Sequence, residues 1–262
     1  MGKFAFAGFP LQERIAAMSN IIAVVSGKGG TGKTSFTANV GLALAQLGYK
    51  TLCLDCDITL RNLDLALGLS DRAVMDFSDV ATGRCSLSEA VVINEKYPNL
   101  GLLTAPLCDG DPDVTPQQMR ALAAEIRENY TYCLIDSPAG LGTGFHLALS
   151  MADSAVVVTT TDASALRDAQ RTVMELSRFP ADCVHLVVNR VDKKLMRSMR
   201  MTIDDAIDTA GLPLLGVVPE DKDLSYALNR GIPLRECNYY AECAYEHIAK
   251  RIVGRKVPLL KI

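Results

Sequence analysis

The stretch SGKGGTGKTS at residues 26–35 is the part of the chain whose residue types and spacing most directly indicate chemistry. From Gly27 to Thr34 it fits the pattern G-x-x-x-x-G-K-[ST], with the apolar run IIAVVS before it and a helical pattern after it. Its glycines let the backbone curl so that several N–H groups point at phosphate oxygens. Lys33 would reach the terminal phosphates of a nucleotide, and the Thr34 hydroxyl would ligate Mg²⁺. We expect the phosphate-binding residues to be Gly27, Gly29, Gly30, Thr31, Gly32, Lys33, Thr34 and Ser35.

Three aspartates follow two other apolar runs. Asp136 ends YCLID, and Asp55 and Asp57 follow at the end of TLCLD. A carboxylate at the end of such a strand can hold a metal ion through a water molecule. Asp55 and Asp57 are two apart in an extended chain, so they project the same way. One of them could hold a metal-bound water and the other could orient the attacking water, although carboxylates in a solvated loop are the alternative.

Lys28 is a second lysine in the phosphate loop, and one lysine already suffices for the terminal phosphates. A second ammonium group beside Lys33 would be repelled at close range. We therefore consider that Lys28 points away from its own nucleotide, toward one held by a facing molecule. An ordinary solvated lysine is the alternative.

The elements that must position these residues alternate along the chain. Apolar runs rich in β-branched residues indicate strands covered on both faces, which is typical of a parallel sheet. Helical spacing follows Lys33 as far as Gly48 and recurs in four later segments. We predict a single three-layer α/β/α domain with a mostly parallel central sheet, at residues 18–262. The predicted strands are 21–26, 51–55, 132–136, 154–160, 184–189 and 214–218, and the four later helices are 116–129, 143–151, 163–177 and 239–253.

Residues 1–17 precede the domain as a leader, MGKFAFAGFPLQERIAA. Polar residues and Pro10 interrupt its apolar part, and it has no clear cleavage site for a secretory signal. A flexible leader that does not belong to the fold is our expectation. An ordered arm and a membrane anchor are the alternatives.

Composition and charge limit the classes of partner. The net charge is −3, which gives no overall attraction to DNA or to an anionic membrane. No apolar run approaches the length of about 20 residues that spans a bilayer. Eight cysteines in 262 residues are too few for a disulfide scaffold, so we expect a cytoplasmic protein. Cys53 and Cys56 would point to opposite faces of a strand, which argues against a shared metal.

Several motifs together resemble one family. KGGTGKT at 28–34 is similar to the deviant Walker A motif, KGGxGK[ST], of the MinD/ParA family of P-loop ATPases. DCDITLRNLDLALG at 55–68 resembles the switch I region of the MinD branch, and not the PQGN run of chromosome-partitioning ParA proteins. DSPAG at 136–140 resembles switch II, and GVVPED at 216–221 resembles the loop over adenine. The resemblance covers about residues 20–258.

The resemblance implies a role for each matching residue. Lys28 would contact phosphate across an ATP-sandwich homodimer, Lys33 would serve its own ATP, and Asp57 would position the hydrolytic water. Thr34 would bind Mg²⁺ directly, and Asp55 and Asp136 would support the metal through water. The residues around the adenine would be Asn189, Pro219 and Asp221.

The resemblance also implies partners and leaves alternatives open. It favours an ATPase that places the division septum, with a division inhibitor and an ATPase-stimulating protein as partners. MinD proteins end in a basic amphipathic helix that binds the inner face of the cell membrane, whereas this chain stops at YEHIAKRIVGRKVPLLKI, with only a small basic cluster.

Membrane binding therefore stays open, and DNA binding is not expected. A flagellar-number regulator, a ParA-type partitioning ATPase, a nucleotide sensor without hydrolysis, and a metal or iron–sulfur carrier using Cys108 are the alternative functions.

Overall fold

A computed structural model describes residues 20–107, 113–199, 202–221, 224 and 239–260. The predicted leader at 1–17 and Cys108 lie outside these residues, so the predictions about them stay predictions.

The described residues form one eight-stranded sheet in the order β3-β4-β2-β5-β1-β6-β7-β8. All neighbouring strands are parallel except β3 and β4, which pair antiparallel. The predicted mostly parallel α/β fold is therefore confirmed. The six predicted strands are all present, whereas β3 and β4 were not predicted. The strands are β1 (Asn20–Val25), β2 (Thr51–Asp55), β3 (Val92–Ile93), β4 (Leu100–Leu103), β5 (Tyr132–Asp136), β6 (Ser154–Thr159), β7 (Val184–Val191) and β8 (Leu214–Pro219).

Helices cover both faces of this sheet. The five predicted helices are present, and local capping explains several of their starts; the Thr115 side chain, for example, accepts the N–H of Gln118 before a proline at the first helical position. The helices in the described residues are α1 (Lys33–Gln46), α2 (Leu63–Ala66), α3 (Phe77–Ala81), α4 (Leu87–Ala90), α5 (Pro116–Asn129), α6 (Thr143–Met151), α7 (Ala163–Glu175), α8 (Lys193–Met199), α9 (Ile203–Ala210) and α10 (Tyr239–Ile252).

The central strand β1 shows how the three layers are built. Ile22 and Val24 pack with α1 and α10 on one face. Ala23 and Val25 pack with α6 and α7 on the other face. Because alternate residues of the strand meet apolar helices on both sides, its sequence is continuously apolar. Cys53 and Cys56 likewise fall in apolar clusters on opposite faces, as predicted.

The parallel strands end at one edge of the sheet, which is called the carboxyl edge below. Strands β2, β5 and β1 are neighbours, and Asp55 pairs in register with Asp136. The phosphate loop leaves β1 at the same edge, since Val24 pairs with Asp136. The fold therefore brings the loop and the predicted acidic residues together, in the place where open α/β sheets bind ligands. Within the described ranges, no helix is long and apolar enough to cross a membrane.

Candidate active site

The loop between β1 and α1 requires glycine at two positions for different reasons. Gly32 has φ +90°, and a Cβ atom there would lie 2.3 Å from Nδ2 of Asn189. Gly27 has no such strain, but a Cβ atom would lie 2.4 Å from the Asp168 carbonyl oxygen in α7. Any side chain at these positions would displace the backbone of the loop or its neighbours. The loop backbone therefore packs closely against α7 and Asn189 at these two glycines, and its curled shape is compatible with a phosphate cradle.

Lys33 lies inside this cradle. Its side chain is buried, and its Nζ donates a hydrogen bond of 2.8 Å to Oγ of Ser26. Burial lowers the pKa of Lys33, and the charges of Asp136 and Asp57 oppose that effect. The amine thus stays near two carboxylates and near the loop N–H groups. This is the position from which it can neutralise a terminal phosphate.

Thr34 and Asp136 form the predicted metal pair. Oγ1 of Thr34 donates a hydrogen bond of 2.6 Å to Oδ2 of Asp136, while Oδ1 of Asp136 is buried without a partner among the described residues. Burial raises the pKa of Asp136 to about 7, against the Thr34 hydrogen bond and the Lys33 charge. Hard oxygen donors in this arrangement fit Mg²⁺, which prefers few protein ligands together with phosphates and water.

Asp55 is completely buried beside Asp136 and shapes the following loop. Its Oδ1 accepts the N–H of Asp57 at 2.8 Å, and its Oδ2 accepts the N–H of Leu63 at 3.2 Å. Burial and the charge of Asp136 raise its pKa, whereas the two backbone hydrogen bonds lower it. Asp55 therefore binds the segment that resembles switch I at two points, Asp57 and Leu63. Its predicted support of the metal through water stays a prediction.

Asp57 lies near the start of that segment and is only partly buried. Its Oδ1 accepts the N–H groups of Thr59 at 3.2 Å and Leu60 at 3.1 Å. These bonds fix the turn after β2 and leave the second carboxylate oxygen, Oδ2, without a hydrogen bond from the described residues. A water-positioning role is compatible with this geometry and stays a prediction.

Lys28 points away from Lys33, toward the start of α7. Its Nζ donates a hydrogen bond of 2.8 Å to Oγ of Ser164 and lies 3.5 Å from Oδ1 of Asp162, with 45% of the side chain exposed. Burial would raise the pKa of Asp162, but hydrogen bonds from Ser164, Thr160 and the Ala165 N–H, together with the Lys28 charge, lower it. Ser164 and Asp162 were not predicted from the sequence. The role of Lys28 toward a facing molecule stays a prediction.

The residues predicted around the base lie at the ends of β7 and β8. Asn189 is buried, its Nδ2 donates to the Thr31 carbonyl at 2.8 Å, and its Oδ1 has no hydrogen-bond partner in the described part of the chain. Pro219 is buried at the end of β8, and Asp221 follows two residues later. The structure thus places Asn189 in contact with the phosphate loop. The roles of Asn189, Pro219 and Asp221 around the adenine stay predictions.

Arg190 is a further residue of this corner that sequence reasoning missed. It has φ +55°, its guanidinium donates to the Gly30 carbonyl at 3.2 Å, and it pairs with Glu220 at 2.8 Å. It therefore connects the phosphate loop to the end of β8. Its position directly after Asn189, at the end of a strand, was the signal available in the sequence.

Ser35 and Cys53 both lie beside residues of α1. Ser35 lies in the first turn of α1, and its carbonyl accepts the side-chain N–H of Asn39 at 2.8 Å. Cys53 is buried beside Gly41, where a Cβ atom would lie 2.3 Å from its Sγ. Within the described ranges, no group of three or more His, Cys, Asp or Glu side chains could hold a metal ion.

Comparison with known proteins agrees with this geometry. The model of the CobQ/CobB/MinD/ParA nucleotide binding domain matches residues 22–234. A putative septum site-determining protein MinD of Guillardia theta is 42% identical over 248 residues, which cover 94% of this chain and 92% of that protein.

Two solved structures show the same fold. MinD in the MinC:MinD cell division protein complex of Aquifex aeolicus has a TM-score of 0.84 and 36% identity, over 92% of this chain and 98% of that chain. The septum site-determining protein MinD of Pyrococcus horikoshii, complexed with Mg-ADP, has a TM-score of 0.79 and 30% identity, over 92% and 100% of the two chains. With its phosphate loop, its Thr34–Asp136 pair and these relatives, the chain belongs to the MinD/ParA family of nucleotide-binding proteins.

Proposed function

We propose that this chain is a MinD-like ATPase that dimerises on binding Mg-ATP, dissociates after hydrolysis, and thereby regulates the placement of the division septum. One observation carries the proposal: the two lysines of the phosphate loop point in different directions. Lys33 is buried and turned inward to Ser26, whereas Lys28 is exposed and turned outward to Ser164. Once its hydrogen bond to Ser164 breaks, Lys28 would be able to contact a nucleotide bound by a second copy of the chain.

Nucleotide binding would use the groups that the cradle already orients. Lys33 and the loop N–H groups would hold the phosphates, and Thr34 would exchange its hydrogen bond to Asp136 for the metal. Bound Mg²⁺ would neutralise charge on the phosphate oxygens. Asp136 would remain behind it as a fixed carboxylate, with Asp55 in register on the neighbouring strand.

Hydrolysis would depend on Asp57 and on Lys28 of a second copy. Asp57 would orient the attacking water, because its carboxylate stands at the carboxyl edge beside the cradle. The partner's lysine would supply positive charge where negative charge develops in the transition state, as arginine fingers do.

Asp55 would make this segment respond to the state of the phosphates. It accepts hydrogen bonds from the N–H groups of both Asp57 and Leu63, so a shift at one of these two residues would be passed to the other. Loss of phosphate contacts would then release the dimer, as in other switches that sense a terminal phosphate.

The partners are proposed by comparison. The Aquifex aeolicus relative is known in a complex of MinC with MinD, which supports a division inhibitor as a partner of this chain. An ATPase-stimulating protein would be the second partner, and the chain would act in the cytoplasm or at the inner face of the cell membrane.

The basic residues near the chain end bear on membrane binding. Arg251 donates to the carbonyl groups of Leu215 and Val257, and Lys250 pairs with Glu246 at 2.6 Å. Both side chains already have partners within the protein, and they are therefore weak candidates for contacts with lipid headgroups.

The described cysteines of the central strands give the metal-carrier alternative no support, but that alternative uses Cys108, which lies outside the described residues, and it stays a prediction. Cys53, Cys56 and Cys133 are at most 3% exposed and are packed in the core. They are consequently not available at a surface where two copies could share a metal.

The experiment is to measure mass by light scattering and ATP turnover for the wild type and for Lys28→Ala, with ADP and with ATP. We expect an ATP-dependent dimer in the wild type, and a folded monomer without turnover in the variant. Lys256→Ala, which removes another exposed lysine, should behave as the wild type. An unchanged dimer and unchanged turnover in Lys28→Ala would refute the proposal.

A further inference from the structure

Tyr245 is a buried residue of α10, and its hydroxyl makes none of the contacts described above for the site. The residue is 2% exposed, and its ring packs edge-on against Phe36 of α1, with the ring centroids 6.4 Å apart. Among the residues that the structure describes, nothing forms a hydrogen bond with the Tyr245 hydroxyl. A buried hydroxyl without a partner is unfavourable for folding, and such groups are rare in native structures. The position therefore calls for a ligand or a functional reason.

The direction of α10 shows where this hydroxyl is placed. Ile248 fills the space above Gly216, where an added Cβ atom would lie 2.3 Å from Cγ1 of Ile248, and the Arg251 guanidinium binds the Leu215 carbonyl at 2.8 Å. The helix thus runs antiparallel to β8. Tyr245 lies three residues nearer the helix start than Ile248, which brings it toward the carboxyl end of β8. Large side chains on helices also lean toward the N-terminus of the helix, in this case toward the carboxyl edge.

The charges around Tyr245 agree with that placement. Burial raises the pKa of the hydroxyl, and the carboxylates of Asp221 and Glu220 raise it further. The hydroxyl is therefore within electrostatic reach of the loop that follows β8, and it stays protonated. A protonated hydroxyl can both donate and accept a hydrogen bond.

The same loop is connected to the phosphate cradle. Glu220 pairs with Arg190, which donates to the Gly30 carbonyl. On that side Oδ1 of Asn189 is also buried without a hydrogen-bond partner in the described part of the chain. The Tyr245 hydroxyl and Oδ1 of Asn189 are thus two unsatisfied buried polar atoms. The first is within electrostatic reach of the loop after β8, and the second belongs to a side chain that is bonded to the phosphate loop.

We propose that the Tyr245 hydroxyl binds the adenine base of the bound nucleotide and helps to position it. The inference rests on the nucleotide-binding part of the proposed function and not on dimerisation. The orphaned hydroxyl is retained because the base supplies the missing hydrogen bond.

The test is Tyr245→Phe, which keeps the ring and removes only the hydroxyl. Titration calorimetry with Mg-ADP should show affinity reduced about three- to tenfold, the usual effect of losing one neutral hydrogen bond. Inorganic tripolyphosphate, which has no base, should bind the variant and the wild type equally. The melting temperature of the nucleotide-free variant should be unchanged or raised, because the substitution removes an unsatisfied buried group.

Tyr132→Phe is the matched control. Tyr132 is 4% exposed, belongs to the same apolar cluster and packs edge-on against Tyr49, but it begins β5 at the opposite edge of the sheet. Its affinity for Mg-ADP should equal that of the wild type.

Two results would overturn the assignment of Tyr245. One is an unchanged affinity of Tyr245→Phe for Mg-ADP; the other is an equal loss for tripolyphosphate together with a lower melting temperature. A wild type that binds no Mg-ADP would instead overturn the proposed function along with this inference, so the two failures are distinguishable.

Discussion

Lys28 and Ser164 are joined by a hydrogen bond of 2.8 Å between Nζ and Oγ, across 136 residues of sequence. The lysine at the rim of the phosphate loop is thereby held by the start of α7 in its own chain. Asp162 adds its charge at 3.5 Å. Any contact between Lys28 and a second copy requires that these interactions break first.

The first prediction concerns that hydrogen bond. Ser164→Ala removes one partner of Lys28, and the helix cap made by the Asp162 side chain on the Ala165 N–H remains. Since an exposed hydrogen bond is worth about 0.5 kcal/mol per copy, the dimer should form at concentrations roughly two- to fivefold lower. Sedimentation equilibrium with a non-hydrolysable ATP analogue would measure this. Weaker dimerisation than in the wild type would contradict it.

The second prediction concerns Asp57. Asp57→Ala should bind Mg-ATP and dimerise, because neither Lys33 nor the pair Thr34–Asp136 is altered. Turnover should fall about 100-fold or more, since the group that orients the attacking water is lost. Phosphate release under saturating ATP checks this, with Asp64→Asn as the control in the same segment. Turnover at the wild-type rate would reject the role.

The third prediction concerns the conformation of the phosphate loop. Gly32→Ala should abolish nucleotide binding, because its Cβ would collide with Nδ2 of Asn189. Gly48→Ala is the control: it has the same left-handed backbone, with φ +92°, but nothing lies within 4 Å of its added Cβ atom. Both should lose roughly 1 kcal/mol or more of unfolding free energy through backbone strain. Only Gly32→Ala should fail to bind Mg-ADP in calorimetry, and equal binding by both variants would be the contrary result.

The fourth prediction concerns Arg190. Arg190→Gln removes the ion pair with Glu220 and the bond to the Gly30 carbonyl, so the phosphate loop and the end of β8 lose their connection. Nucleotide affinity should fall about tenfold, because the two halves of the site are no longer held at a fixed distance. Unfolding free energy should change by less than about 1 kcal/mol, as the ion pair is half exposed.

Arg72→Gln breaks another exposed pair, with Glu95 at 2.8 Å, and is the control for Arg190. It should leave nucleotide affinity unaltered in a fluorescence titration. If both arginine variants lose affinity equally, the connection through Arg190 has no special role.

The sequence predicted most accurately the parts of the molecule that depend on local pattern. The six apolar strands and the glycine loop are recognisable because both faces of the sheet are covered and because the loop requires glycine at fixed spacing. Strands β3 and β4 were missed because they have only two and four residues, too few for a periodic pattern. Asp55 and Asp136 could be placed beside the phosphate loop in advance because parallel strands share one carboxyl edge.

The parts that were missed depend on contacts between distant segments. Ser164 and Tyr245 are ordinary residues in the sequence, and no spacing connects them to the phosphate loop. Arg190 had only its position directly after Asn189 as a signal. Only the packing of α7, β7 and α10 against the loop and β8 shows what they contact. Burial without a partner, as at the Tyr245 hydroxyl, is likewise a property of the folded chain alone.

The guanidinium of Arg251 holds the segment that follows α10 against the start of β8. It binds the Leu215 carbonyl near the first residue of β8 and the Val257 carbonyl beyond α10, while His247 meets the Pro258 carbonyl at 3.1 Å. The segment after α10 is thus fastened on the side of the sheet remote from the phosphate loop. A fluorophore or surface tether attached there would leave the nucleotide-facing side unobstructed, so immobilised protein should remain able to pair with copies in solution.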